Sequence, residues 1–365
     1  VQTIGIIGLP NAGKSTIFNA LTHTQVEVKK HPFTTIEPNV GMVRVPEPRL
    51  DHLARIFQPE RVIPASVKFM DVAGLVEGAS RGEGLGNQFL AAVRSATALA
   101  HVVRCFESED VSHVMGELDP VRDIEIIGLE LMLSDLGLVE KRLEKIRKDR
   151  LSAPRQDEAL VETLEGIKDY LGRGEGLRGT EIASRAAMLL PDLDLLSLKP
   201  MIYIANIGEG DLEKESLRLN ALRKRAEEEG GQIIALCGQL EAEIINLPEE
   251  ERVDFRREMG IKESGLVTLA RAAKELLGLI TFFTKEGVEV RAWLVKGGTA
   301  ARPAAGSIHT DMEEGFIKAE VVPFTELIEA GSLAEAKHRG RLRFEGRDYR
   351  VGEGDVIRFH FKNTA

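Results

Sequence analysis

Apolar residues fall along this chain in three distinct rhythms, and each predicts a different architecture. The first is the short continuous run. Ile4-Gly5-Ile6-Ile7, Val67 to Val72, Ala98 to Phe106, Met201 to Ala205 and Ile233 to Cys237 are apolar almost throughout, as strands buried on both faces of a parallel sheet must be. Helices are expected between them, at Ser15 to Leu21, near Gly86 to Ala96, at Asp211 to Glu229 and around Leu266 to Leu277. The second rhythm is a heptad. Leu129, Met132, Leu136, Val139, Leu143 and Ile146 are spaced 3, 4, 3, 4, 3, and Leu160, Leu164, Ile167 and Leu171 repeat 4, 3, 4 after a break at Ser152-Ala153-Pro154. Two such helices joined by a turn predict an antiparallel hairpin inserted into the sheet domain. The third rhythm is alternation, at Val288, Val290, Ala292 and Leu294 and again at Ile357, Phe359 and Phe361. It predicts a separate β-rich region with one helix near Phe324 to Arg339.

The expected fold is therefore α/β. It has a nucleotide-binding type of sheet domain over 1–123 and 199–280, a helical coiled-coil insertion over 124–198, and a β-rich α+β domain over 281–365. A length of 365 residues suffices for two or three cores. A net charge of −10 argues against a general nucleic-acid coat, though not against a local basic patch. One such patch lies at the end of the hairpin, where Lys141, Arg142, Lys145, Arg147, Lys148, Arg150 and Arg155 stand against Glu144 and Asp149. It reads either as a solvated face or as a contact surface. Cys105 and Cys237, the two cysteines, lie in apolar runs and read as buried free thiols of a reducing compartment. No apolar run is long enough to span a bilayer. The chain enters a strand at once from Val1, so the expectation is a cytoplasmic protein without a signal peptide, its initiator removed.

The candidate chemistry begins directly after the first strand. Gly8-Leu9-Pro10-Asn11-Ala12-Gly13-Lys14-Ser15 reads G-x-x-x-x-G-K-[ST], followed by Thr16. In this phosphate-binding loop the glycines let successive N–H groups turn toward phosphate oxygens, the lysine brings a charge to the β and γ phosphates, and the serine offers a hydroxyl to magnesium. Asn11, Ala12, Gly13, Lys14, Ser15 and Thr16 are the expected phosphate contacts. Asp71-Val72-Ala73-Gly74 stands at the end of the second apolar strand. There Asp71 would hold magnesium through water and the Gly74 N–H would meet the γ-phosphate. In the loop around Pro32 to Asn39, Thr34 or Thr35 is placed to reach the same ion. Leu75 follows Gly74, where Ras-like proteins carry a water-positioning glutamine, so slow basal hydrolysis is expected. His113, on a loop, and a potassium ion held near Asn11 are candidates for the missing help. At the fourth apolar strand's end, Asn206-Ile207-Gly208-Glu209 replaces the N-K-x-D that reads guanine. The longer carboxylate of Glu209 and the absence of the lysine stem at Ile207 favour ATP over GTP, with Asn206 or nearby backbone groups reading the base. The competing possibility is a pocket that accepts both purines.

On these motifs the chain resembles the YchF/Obg-like ATPase family of P-loop NTPases. The resemblance is carried by Gly8 to Ser15, by Pro32-Phe33-Thr34-Thr35-Ile36-Glu37-Pro38-Asn39, by Asp71-Val72-Ala73-Gly74-Leu75 and by Gly82 to Leu90. Ile308-His309-Thr310-Asp311-Met312 and Gly315-Phe316-Ile317-Lys318-Ala319 resemble the family's TGS domain. In that family the switch threonine directly precedes Ile-Glu-Pro-Asn, which selects Thr35 as the third magnesium ligand beside Ser15 and Asp71. The resemblance implies magnesium-dependent ATP hydrolysis and association with the ribosome. The expected RNA contacts are the basic arm and the TGS domain of a monomer. Cys237-Gly238 departs from the Ser-Ala of many relatives in the wider GTPase class, at a loop that contacts the base.

Overall fold

The computed structural model describes residues 2–23, 40–72, 85–108, 116–150, 158–212 and 216–362. The chain divides into two compact units, Val1–Gly41 with Lys68–Leu269, and Met42–Val67 with Ala270–Ala365.

The first unit is built on a parallel sheet. Its elements in chain order are β1 (Thr3–Ile7), α1 (Lys14–His23), β2 (Val40–Arg44), then, beyond α2 (Pro48–Phe57) and β3 (Arg61–Ile63), β4 (Ser66–Asp71), α3 (Leu85–Ser95) and β5 (Ala98–Arg104). The helical α4 (Pro120–Arg150), α5 (Glu158–Gly172) and α6 (Glu181–Leu189) follow. The sheet resumes with β6 (Met201–Asn206), α7 (Leu217–Glu228), β7 (Gln232–Leu236), α8 (Gly238–Asn246), α9 (Glu249–Glu258) and α10 (Gly265–Leu276). The strand order is β2-β4-β1-β5-β6-β7. The pairs β4–β1, β1–β5, β5–β6 and β6–β7 are all parallel. Every residue of β1, β5 and β6 is buried, which is why these strands read as unbroken apolar runs. The register brings Ile6 beside Asp71, Arg104 beside Asn206, and Asn206 beside Leu236. The carboxyl ends of the strands therefore form one edge, where ligands of open α/β sheets bind.

The helical insertion differs from the expected two-helix seam in three respects. The start of α4 belongs to the sheet domain, since Ile124, Ile127 and Leu131 pack in the same core cluster as β5 and α3. Leu129, expected as the first seam residue, is 47% exposed. The buried positions from Leu131 to Ile146 are Leu131, Asp135, Val139, Leu143 and Ile146, while Met132 and Leu136 of the expected seam pack, partly buried, against the hairpin core. Asp135 is a buried position that the apolar pattern does not show, because a charge is not counted as core. It is buried because its carboxylate accepts hydrogen bonds from Leu196 N (2.9 Å), Ser197 N (2.8 Å) and Ser197 Oγ (2.7 Å). Beyond it, Val139, Leu143 and Ile146 do meet Leu164, Ile167 and Leu171 of α5. The third element, α6, adds Ala186 to that cluster, and Thr180 caps its start. Downstream, α7 begins at Leu217 rather than Asp211, where Ser216 Oγ accepts from Leu219 N at 3.1 Å.

The second unit holds β8 (Leu279–Glu286), β9 (Glu289–Lys296), α11 (Ala301–Gly306), α12 (Thr310–Glu314) and β10 (Phe316–Pro323). It ends with α13 (Phe324–Ala330), α14 (Leu333–His338), β11 (Arg343–Glu345) and β12 (Asp355–Phe361). Its sheet order is β11-β10-β12-β8-β9-β3. The pairs β8–β9, β10–β12 and β10–β11 are antiparallel, while β3–β9 and β12–β8 are parallel. The single helix expected near Phe324 to Arg339 is two. Gly331 ends the first in a left-handed conformation (φ +74°), and Ser332 caps the second through Glu335 N. Residues 42–67, assigned by the sequence pattern to the nucleotide domain, pack here. Leu50 and Leu53 of α2 share a core with Phe283, Val290 and Val356. Arg49 pairs with both Glu47 and Glu353, and Glu353 in turn accepts from Thr281 N at 2.8 Å.

Candidate functional site

The site grows from the turn between β1 and α1. Gly8 has φ +154°, and a Cβ there would lie 2.4 Å from Val102 O. Gly13 has φ +93°, and a Cβ there would lie 2.2 Å from Asn206 Nδ2. Neither position admits a side chain, so both glycines are demanded by close approach as well as by backbone conformation. Asn11 between them is exposed and takes φ +63°, which asparagine tolerates better than most residues. Ala12 is buried; Ser15 and Thr16 stand exposed on the first turn of α1, the turn whose free N–H groups favour an anion.

Lys14 is 8% exposed and its Nζ donates to Leu9 O at 2.9 Å. Burial holds its pKa below the ordinary lysine value, against the opposing pull of Asp71. Asp71, at the carboxyl end of β4, accepts from Ser15 Oγ at 3.2 Å through Oδ2. Its other oxygen, Oδ1, is buried and has no hydrogen-bond partner among the described residues. Burial raises the Asp71 pKa, and the Ser15 hydrogen bond and Lys14 charge work against that rise. A hydroxyl and a carboxylate oxygen without a partner, set beside a phosphate loop, are the hard donors that magnesium takes. These residues fit the ion.

Asn206 ends β6 and is 5% exposed. Its Nδ2 donates to Ala12 O at 2.9 Å, and its Oδ1 accepts from Gly238 N at 2.9 Å. The side chain therefore ties the phosphate loop to the start of α8, which leaves one N–H and one lone pair of the amide for a base. Its engaged groups position two loops, a role that the sequence reading of Asn206 did not include. Ile207 points into the sheet-domain core at 5% exposure, and its N–H donates to Leu236 O at 3.0 Å. Glu209 is exposed at the head of a short 3-10 turn, Glu209–Asp211. At Gly238 the constraint is contact alone, since a Cβ there would stand 2.9 Å from Ile17 Cγ1. Thr35, Gly74 and His113 lie outside the described residues.

Sequence reasoning passed over His101, a lone polar residue inside an apolar strand. It is 1% exposed, its Nε2 has no hydrogen-bond partner, and its ring lies 5.7 Å from that of Tyr203. Burial pushes its pKa down to about 3, helped by the charges of Arg178 and Lys14. On the hairpin, Lys141, Lys145 and Lys148 are exposed. Arg142 and Arg147 are partly neutralised by Asp192 (3.2 Å) and Glu165 (3.9 Å), and Arg155 lies outside the described residues. The basic patch is thus weaker than its composition suggests. Among the described residues no helix is long and apolar enough to cross a membrane.

Comparison with known proteins places these features in company. The model of "50S ribosome-binding GTPase" proteins matches residues 3–131, and that of the YchF-GTPase C-terminal region, described as a protein of unknown function, matches residues 279–362. The "Ribosome-binding ATPase YchF" of Haemophilus ducreyi is 46% identical, over 98% of this chain and 98% of that protein. The protein of the same name from Bacillus subtilis is 44% identical, over 98% of this chain and 99% of that protein. A solved structure of the Schizosaccharomyces pombe YchF GTPase superposes with a TM-score of 0.87 at 33% identity, covering 99% of this chain and 97% of that one.

Proposed function

This chain belongs to the YchF family, and we propose that it is an ATP hydrolase that works as a nucleotide-controlled switch on the ribosome. The observation that carries the reading is the convergence of Lys14, Ser15 and Asp71 at the carboxyl edge of the parallel sheet, with Asp71 Oδ1 left without a partner among the described residues. Lys14 leaves Leu9 O for the β and γ phosphates, and the N–H groups from Asn11 to Thr16 surround them. Ser15, Asp71 and Thr35 hold magnesium. The ion, when bound, neutralises phosphate charge. The Gly74 N–H meets the γ-phosphate. Leu75 cannot orient water, so unassisted turnover is slow, on the order of the 10⁻⁴ s⁻¹ of Ras without its partner. His113 and a potassium ion near Asn11 are the candidates on this chain for the missing help, and a partner is the alternative source.

The names of the relatives differ on the base: the bacterial proteins are called ATPases, and the Schizosaccharomyces pombe structure is called a GTPase. ATP is favoured here because Ile207 packs inward instead of covering a base as a lysine stem does, and because Glu209 is too long to repeat the bidentate grip of aspartate on guanine. A purine whose polar edge is mismatched leaves buried groups unpaired at about 1–3 kcal/mol each. In this reading the protein is a cytoplasmic monomer, and the arm over 124–198 and the TGS domain over 281–365 meet ribosomal RNA. The test is competition between ATP and GTP at equal magnesium, with hydrolysis followed as potassium is titrated. ATP should win, Ile207→Lys with Glu209→Asp should move selectivity toward guanine, and potassium should raise the rate. A preference of the parent for GTP contradicts the reading.

A further inference from the structure

We propose that the uncovered part of the second unit's sheet binds single-stranded RNA, with Phe344 as a stacking platform. This rests on the ribosome reading above and narrows it to one face and one class of RNA. On adjacent strands, directly opposed residues share a face. Phe344 of β11 opposes Glu320 of β10, Glu320 opposes Arg358 of β12, and one step along Lys318 opposes His360. These five side chains therefore share one face. Phe344 is 56% exposed. The Lys318 ammonium lies 3.9 Å from the centre of its ring. Such a pair offers a base one π-face and a nearby phosphate one cation.

The charge around the ring points the same way. Lys318, Lys337 and Arg358 have no ion-pair partner among the described residues, whereas Glu320 faces His360 at 3.3 Å. A groove of about 840 Å³ is lined by Lys285, Lys337 and Arg358 against Glu286 and Glu320. Between Lys337 and Lys362 the chain carries eight Lys and Arg against four Asp and Glu, within a protein of net charge −10; Arg339, Arg341 and Arg343 among them pair with Glu335, Glu326 and Glu345. A cationic strip in an acidic molecule selects a polyanion. The ring selects one whose bases are unstacked, because a duplex keeps its π-faces inside.

The experiment uses the full chain and a labelled short oligouridine, with a duplex RNA of equal length beside it, read by fluorescence anisotropy at several salt concentrations. Phe344→Ala should weaken single-strand binding about 5- to 150-fold, the loss of one stacked base. It should leave duplex binding unchanged, and Phe344→Trp should restore affinity. Lys318→Gln with Arg358→Gln should reduce the salt slope by roughly one to two. Equal single-strand affinity in Phe344→Ala and the parent overturns the proposal. So does displacement of the RNA by polyglutamate, which would assign the face to an acidic protein. Ribosome co-sedimentation of the parent is measured alongside. If it holds while Phe344→Ala binds oligouridine normally, the face is wrong and the ribosome reading stands. If the parent does not co-sediment, the ribosome reading itself fails.

Discussion

The two sheets, each of six strands among the described residues, place their chemistry differently. In the first, β1, β5 and β6 are buried along their whole length. Covered on both faces, such a sheet can present functional groups only beyond its strand ends, and Lys14, Asp71 and Asn206 stand at that edge. In the second, β9 and β10 mix buried and half-exposed positions, and part of a face stays open, with Phe344 and Arg358 on it. A parallel sheet works at its edge; a partly covered, largely antiparallel sheet can work on its face.

The contrast breaks first, and most severely, at Lys14. Removing a buried charge from its phosphate partners costs about 2–5 kcal/mol. Lys14→Ala should therefore weaken ATP binding from about thirtyfold to several thousandfold by titration calorimetry, while oligouridine binding stays as in the parent. A smaller effect is expected at Asn206. Asn206→Ala leaves Ala12 O and Gly238 N without this partner, at roughly 1–3 kcal/mol for each group that water does not reach. Thermal unfolding should shift down and ATP affinity should fall together, because one side chain serves both loops.

The parallel sheet carries a further mark of its burial in His101. Its pKa is about 3 when folded and 6.5 ordinarily. Between those values the unfolded chain holds a proton that the folded chain does not, so stability falls as pH drops from about 6.5 toward 3. The contribution is about 1.4 kcal/mol per pH unit. His101→Leu should remove that share of the slope in urea unfolding curves taken across this range.

The smallest effect is expected at the hairpin. Exposed charges are worth about 0–1 kcal/mol each, so reversing Lys145, Arg147 and Lys148 together should lower ribosome co-sedimentation modestly and leave hydrolysis unchanged. Unaltered co-sedimentation would make these residues a solvated face.

Local sequence was sufficient where structure is local. The phosphate loop and the strand before it were legible because the glycines, lysine and serine stand at fixed spacing after an apolar run. The seam of α4 was legible from Met132 to Ile146, but its buried Asp135 was not, because it looks like a surface residue until Leu196 and Ser197 arrive as its donors from sixty residues away. The allegiance of residues 42–67 was hidden for a similar reason. A three-residue strand, β3, carries no signal of which sheet it joins, and its parallel pairing with β9 is a long-range event. The bridging role of Asn206 was also out of reach, since its partners lie 194 and 32 residues away.

The measurement that bears most directly on the account is single-turnover hydrolysis of ATP and GTP by the parent, Lys14→Ala and Phe344→Ala side by side. The account predicts slow ATP hydrolysis exceeding that of GTP in the parent, its loss in Lys14→Ala, and parental rates in Phe344→Ala. Hydrolysis surviving in Lys14→Ala would contradict the assignment of the chemistry to the edge of the parallel sheet.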